Sequence, residues 1–316
     1  MAREKLGLGS WRQDRFLLEP SRPYSLALTA ERFTRFPEIV DRFDGRFYRR
    51  LIPMGKGSTI VSVAQMGSPI RGTLEVRIAA RGVELEAARS EARDLVRRML
   101  GVTQDVRGFY RAFRNDVLLG ETIRRFRGLR IAGSASLWEA LVTAILSQQI
   151  NLRFAYDIRR ELALAFGRRA TWDGETFVGF PRPEAIARQR KSTLRTFRLS
   201  RAKAVAIQGV ARAFAGGSLR EDEIARLSDE EAIEKMTAIV GVGRWTAEIA
   251  LLRGLGRVDI FPAADLGVVK YLAQGLLGHK VRARESAMRR YSERWRPYRG
   301  LALVYAYAEL ARKRKS

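Results

Sequence analysis

Val240-Gly241-Val242-Gly243-Arg244-Trp245-Thr246-Ala247 reads as a glycine turn that opens a helix. Glu230 to Ile239 ahead of it is also helical in pattern, so the stretch joins two helices as a hairpin over about residues 230–255. Gly241 and Gly243 permit positive φ and leave no Cβ between the backbone and an approaching phosphate. The start of the second helix adds unsatisfied N–H donors and the positive end of a helix dipole. A turn of this kind grips a nucleic-acid backbone without reading its sequence. The same glycines also make the turn of an ordinary helical hairpin, and Gly-x-Gly alone leaves both readings open.

Downstream, Phe261-Pro262-Ala263-Ala264-Asp265 sets a carboxylate at the head of a helix predicted over Leu266 to Leu277. Asp is a preferred N-cap, so Asp265 stands as either a cap or a catalytic acid. Composition narrows the choice of partner. The 316 residues carry 59 Lys plus Arg against 34 acids, a formal charge of +25, which favours a polyanion through counterion release. No apolar run is long enough to span a bilayer, and Met1-Ala2-Arg3-Glu4-Lys5 leads into a mixed segment unlike a secretory signal, so the expectation is a cytoplasmic protein (nucleoid-associated if prokaryotic) without a membrane partner. The absence of cysteine excludes disulfides, thiol nucleophiles and cysteine-ligated metal centres. His279 is the single histidine, which excludes histidine triads and multi-histidine metal sites; it reads as a surface residue. No metal ligand set is expected.

The fold class expected is α+β. Residues 1–110 form an antiparallel sheet domain with helices, with strands at 24–29, 46–52, 58–64 and 73–79, a short helix or loop at Phe33–Pro37, and a helix from Glu84 to Leu100. Residues 111–316 are mostly helical. Ser136 and Glu139 sit at capping-box spacing before the helix that starts at Leu137. Further helices are predicted near 151–166, 183–190, 201–215, 221–226, 229–239, 245–255, 265–277, 283–295 and 298–312. Arg312-Lys313-Arg314-Lys315 reads as a solvated basic tail.

Several ordered motifs between about residues 120 and 312 resemble the helix-hairpin-helix DNA glycosylases, in the 3-methyladenine DNA glycosylase II branch. They are Leu137-Trp138-Glu139-Ala140-Leu141-Val142 with Ile145-Leu146-Ser147-Gln148-Gln149-Ile150, then Phe180-Pro181-Arg182-Pro183-Glu184 and Arg201-Ala202-Lys203-Ala204. The hairpin, the Pro-x-x-Asp setting of Asp265, and Trp295-Arg296-Pro297-Tyr298-Arg299-Gly300-Leu301-Ala302 complete the set. The resemblance implies that Asp265 is the catalytic aspartate of base excision. It places Trp245 where bifunctional relatives carry a nucleophilic lysine; tryptophan cannot form a Schiff base, so a monofunctional enzyme without abasic-site lyase activity is implied. Lys270 is then a DNA contact or a solvated residue. Trp245 and Tyr307 fall on positions that line the base pocket, while Ile249 replaces a pocket aromatic of some members. Trp138 and Tyr298 are further pocket candidates, with core packing as the other reading. Gln149 matches the residue that fills the gap left by the flipped nucleotide; Gln148 and Gln149 could equally satisfy loop backbone. With Gly241, Val242, Gly243, Arg244 and Thr246 they make up the expected DNA contacts.

The implied activity is hydrolytic excision of alkylated bases, of the 3-methyladenine and 7-methylguanine type, from duplex DNA in base excision repair by a monomer. No cofactor is expected beyond a possible structural cation on hairpin carbonyls. The alternatives are a related glycosylase for hypoxanthine, 1-methyladenine or oxidised purines, and a catalytically silent protein that binds damaged DNA.

Overall fold

The computed structural model describes residues 9–36, 38–68 and 70–314. The Met1–Lys5 segment, Pro37 and Lys315, all read above, lie outside the described residues. Five strands form one antiparallel sheet. In chain order the elements are β1 (Arg12–Leu18), α1 (Leu26–Ala30), a 3-10 turn (Glu31–Thr34), β2 (Asp41–Phe43), β3 (Phe47–Met54), β4 (Gly57–Met66), β5 (Thr73–Arg81) and α2 (Leu85–Met99). The sheet runs β1-β5-β4-β3-β2, with every neighbouring pair antiparallel. Two sequence expectations change here. Within Tyr24–Thr29 the chain turns into α1 at Leu26 and forms no strand, because the Ser25 hydroxyl accepts from the Leu28 N–H at 3.3 Å and caps a helical turn. β1 escaped notice because only Phe16 and Leu18 of its seven residues are buried, too few to show an alternating pattern.

The helical part follows as α3 (Arg107–Phe113), α4 (Leu119–Arg125), α5 (Leu137–Ser147), α6 (Leu152–Phe166), β6 (Arg169–Trp172), β7 (Glu175–Val178), α7 (Pro183–Ala187), α8 (Lys191–Arg195), α9 (Arg201–Ala215), α10 (Glu221–Arg226), α11 (Asp229–Thr237) and α12 (Arg244–Gly254). A π-helical turn (Gly267–Leu272), α13 (Ala273–Gly275), α14 (Glu285–Ser292), a 3-10 turn (Glu293–Trp295) and α15 (Arg299–Lys313) complete it. One face of the large sheet packs on α2 through Ala88, Ala92, Leu95, Val96 and Met99. The other meets the β6–β7 hairpin, where Ala170 and Phe177 cover Leu51, Ile60 and Ala79. Val102 belongs to the core of the sheet and Val106 to that of the helices, so the two cores divide a few residues ahead of residue 110. The architecture is α+β, a sheet domain followed by a helical one.

The two parts are joined by a buried ionic cluster. Arg50 on β3 binds Asp41 on β2 at 2.6 Å and Glu139 on α5 at 2.5 Å. Arg159 on α6 binds the other Glu139 oxygen at 2.6 Å, Asp41 at 3.4 Å, and Glu38. The Tyr48 hydroxyl donates to Asp41 at 2.7 Å. This explains why the capping box at the head of α5 is only half made. The Ser136 hydroxyl accepts from the Glu139 N–H at 3.2 Å, but the Glu139 carboxylate turns to the two guanidiniums, a stronger pair of donors than a single backbone amide.

Charges this deep persist only when paired on all sides. Burial works to raise the pKa of Asp41, but Arg50 and Arg159 together outweigh it and hold the carboxyl below its ordinary range. For Glu38, burial wins over Arg159 and the nearby Asp41 charge adds to it, so its pKa is raised. Glu139→Gln removes the charge shared by both arginines and is expected to cost about 3–5 kcal/mol, read from the denaturation midpoint. The stability that Glu38 contributes by holding its proton is in place below its ordinary pKa of 4.5 and is lost as pH rises through the raised value. Glu38→Gln should therefore flatten that part of the melting-temperature curve against pH.

Candidate active site

The hairpin is built as the spacing predicts, α11 then α12 around a tight turn. A capping box at Ser228 and Glu231 starts α11. Gly241 has φ +85, and a Cβ there would lie 2.5 Å from the Ala206 Cβ, so only glycine fits between the turn and α9. Gly243 is the N-cap of α12 at φ −91, and a Cβ there would meet nothing within 4 Å. No side chain caps α12, so its first-turn amides face outward without a side-chain acceptor. Gly241→Ala should destabilise the fold by at least about 1–2 kcal/mol on backbone strain alone, whereas Gly243→Ala, free of any clash but a poorer N-cap, should cost about 1 kcal/mol or less.

Around this turn several of the expected DNA contacts also make contacts within the protein. The Gln148 amide donates to the Gly241 carbonyl at 3.1 Å and to the Thr246 hydroxyl at 2.9 Å, pinning the end of α5 to the hairpin. Thr246 is buried, and so is the Val242 side chain, whose N–H donates to the Ile239 carbonyl at 3.0 Å. Val240 is the exposed residue at the tip. Arg244 pairs with Glu230 at 2.5 Å and with buried Glu248 at 3.1 Å, and Arg289 shares Glu248 at 2.9 Å. Loss of one guanidinium contact would leave Glu248 underpaired, which fixes Arg244 on the protein.

Gln149 behaves differently. It is exposed at the end of α5 and holds φ +53, a left-handed conformation uncommon for a residue with a side chain. Lys203 closes the same helix end by donating to the Leu146 carbonyl at 2.7 Å.

Asp265 is half-buried one residue ahead of Leu266, and the helix after it starts with a π turn. Three donors hold its carboxylate. The Tyr307 hydroxyl reaches Oδ1 at 2.6 Å, the Gly267 N–H reaches Oδ1 at 2.8 Å, and the Trp245 indole N–H reaches Oδ2 at 3.0 Å. The contact with Gly267 is the N-cap bond anticipated for an aspartate here, so capping and display of the carboxylate coexist. An ionised carboxylate has about four lone-pair positions, and the three donors leave one of them, on Oδ2, without a protein partner. Gly267 went unremarked in the sequence, although a Cβ there would meet the Tyr307 hydroxyl at 2.5 Å and Oδ1 at 2.7 Å. Burial, and then the Asp265 charge, push the Tyr307 phenol well above its ordinary pKa, so it remains the donor.

Trp138 and Tyr298, expected in the pocket, are packing residues instead. Trp138 is buried, donates to the Pro181 carbonyl at 2.8 Å and meets Phe214 edge-on at 6.0 Å. Tyr298 packs edge-on against Phe109 at 5.9 Å and Phe113 at 6.4 Å. The contacts these two rings make are with the protein's own aromatic and backbone groups, and neither hydrogen-bonds Asp265. Lys270 is exposed, its ammonium 5.5 Å from the Tyr271 ring centroid, and His279 is exposed as expected.

The sequence and the fold both match known proteins. Residues 142–297 match the HhH-GPD superfamily of base excision DNA repair proteins. Nearly half of this chain thus carries the sequence pattern of that superfamily. Among its relatives, the DNA-3-methyladenine glycosylase of Bacillus subtilis is 34% identical over 181 residues, covering 57% of this chain and 60% of that protein. The chain thus spans less than two thirds of the length of that relative. A 3-methyladenine DNA glycosylase from Archaeoglobus fulgidus aligns in structure with a TM-score of 0.80 at 26% identity, over 94% of this chain and 98% of that one. The Schizosaccharomyces pombe 3-methyladenine DNA glycosylase in complex with abasic DNA aligns with a TM-score of 0.51 at 27% identity, over 61% and 91% of the two chains.

Proposed function

We propose that this protein is a monofunctional DNA glycosylase that flips and hydrolytically excises alkylated purines from duplex DNA. The observation that carries the reading is Asp265, a half-buried carboxylate oriented by Trp245, Tyr307 and Gly267 beside the uncapped start of α12. Breaking an N-glycosidic bond builds oxocarbenium character on the sugar. A fixed carboxylate stabilises that charge as it develops, and its remaining lone pair orients the attacking water. Because Trp245 has no amine, no Schiff base forms at C1′, and the product is an intact strand with an abasic site.

The other parts of the reading follow the same geometry. The first-turn amides of α12, with Gly243 leaving space before them, take a backbone phosphate, and the charge of +25 supplies long-range attraction. Gln149, strained and exposed, enters the stack where the nucleotide leaves it, an exchange that costs a few kcal/mol and is easiest at damaged pairs. Alkylated purines carry positive charge and depart readily, so modest assistance suffices. The reading needs no cofactor, a monomer performs it, and it suits a cytoplasmic or nucleoid setting. The relatives named as 3-methyladenine glycosylases support it.

Asp265→Asn is the decisive test. Excision from alkylated duplexes should fall by at least ~100-fold, the size expected when an electrostatic transition-state contact is removed, while binding to the same duplex persists. If parent and variant both bind and both leave every lesion intact, the enzyme reading fails. Trapping of a covalent adduct by borohydride would overturn the monofunctional part.

A further inference from the structure

α12 is buried on all sides but one. Thr246, Ala247, Glu248, Ala250, Leu251, Leu252 and Gly254 are buried, whereas Trp245, Ile249 and Arg253, spaced four apart on one face, are half-exposed. Trp245, at the head of this stripe, holds Asp265. Arg253, at its foot, lies about 12 Å further along the helix axis, and its side chain leans back toward the head, as helical side chains do.

Arg253 is an unusual arginine. Its Nη1 donates to the Ala132 carbonyl at 3.0 Å, and among the described residues it makes no salt bridge. Arg32, from the 3-10 turn of the sheet domain, donates to the next carbonyl, Gly133, at 3.3 Å and likewise has no acidic partner. Two guanidiniums thus dock on consecutive carbonyls with most of their donors unmatched, beside a chain rich in ion-paired arginines. Burial, and then the charge of Arg32, pull the Arg253 pKa down, with Tyr156, Tyr307 and Asp265 opposing. An arginine nonetheless stays charged at neutral pH. Such a cation, set at the foot of the open stripe, lacks an acceptor that the protein does not supply.

We propose that Arg253, with Arg32 beside it, determines specificity by donating to the 6-oxo group on the distal edge of the extruded purine. The inference rests on the glycosylase reading above. With C1′ at Asp265 and the base lying along Trp245 and Ile249, the far edge of a purine meets Arg253. A 6-oxo purine (7-methylguanine or hypoxanthine) offers an acceptor there. A 6-amino purine such as 3-methyladenine offers an amine, donor against donor.

Single-turnover excision tests this on duplexes containing 7-methylguanine, hypoxanthine or 3-methyladenine, with the parent, Arg253→Gln and Arg32→Gln. The parent should favour the two 6-oxo bases relative to spontaneous loss. Arg253→Gln should slow both by roughly 10- to 100-fold, the worth of one charge-assisted hydrogen bond, and leave 3-methyladenine within about threefold. Arg32→Gln should move the same ratio in the same direction by less. A uniform fall for all three bases would mean that the guanidinium serves a phosphate or the fold, and would overturn the inference. An unchanged ratio would overturn it too. If Arg253→Gln does not fold, the ratio is read from Arg253→Lys, which keeps a point charge and loses the planar fork, and from Arg32→Gln. A parent that excises none of the bases defeats the glycosylase reading itself; a parent that excises them with no dependence on Arg253 defeats only this inference.

Discussion

The cluster of Arg50, Arg159, Asp41, Glu139 and Glu38 is the constraint on which the rest of the molecule depends. Two guanidiniums and three carboxylates, all nearly inaccessible, are shared by β2, β3, α5 and α6. None of these groups could be buried alone, since the desolvation of each is offset by partners in its own half and by Arg50–Glu139, Arg159–Asp41 and Arg159–Glu38 across the boundary. The sheet and the helices are therefore bound in a fixed relation by charge as well as by apolar packing. That relation fixes α5, and α5 carries Gln148 and Gln149 at its far end. It also brings the turn bearing Arg32 to the helical domain, where Arg32 reaches the Gly133 carbonyl. The sheet domain thus acts as an anchor and also lends a side chain to the neighbourhood of the cleft.

Much of this was legible in the sequence, and the divide between what was read and what was missed has a physical basis. The hairpin glycines, Trp245, Asp265 and Tyr307 could be found because their spacing is tied to backbone geometry and to motifs in fixed order. β3, β4, β5 and nearly all the helices declared themselves by period. The failures share one cause: a residue type does not announce its partner. Arg244 looked like a phosphate ligand, but Glu230 and buried Glu248 hold it. Gln148 looked like a DNA contact, but the Gly241 carbonyl was nearer. Trp138 and Tyr298 looked like pocket walls, but apolar neighbours enclose them. Arg253 was missed for the opposite reason, since an arginine without a carboxylate is visible only once its surroundings are known. The period-four row of Trp245, Ile249 and Arg253 was the available signal.

The carboxylate at Asp265 illustrates how one contact serves two ends. Its bond to the Gly267 N–H begins a helix, and the same bond helps to fix the plane of the carboxylate. Glycine at 267 is what lets the Tyr307 hydroxyl approach the same oxygen. Cap, orientation and close approach are settled by two residues within one turn and a third from α15. A sequence reader sees the cap and the acid as rival explanations; in the folded chain they are a single arrangement.

The close contact of α12 with α5 has a consequence of its own. A Cβ on Gly254 would lie 2.9 Å from the Leu137 Cα, so the helices meet backbone to backbone at one end, while at the other Gln148 stitches α5 to the hairpin. Gln149 rides on one of these helices, and the indole that steadies Asp265 rides on the other. Pinned at both ends, the pair works as a gauge block: the span from Gln149 to Asp265 is set by the fold itself. In the proposed reaction a nucleotide is judged by whether it bridges that span.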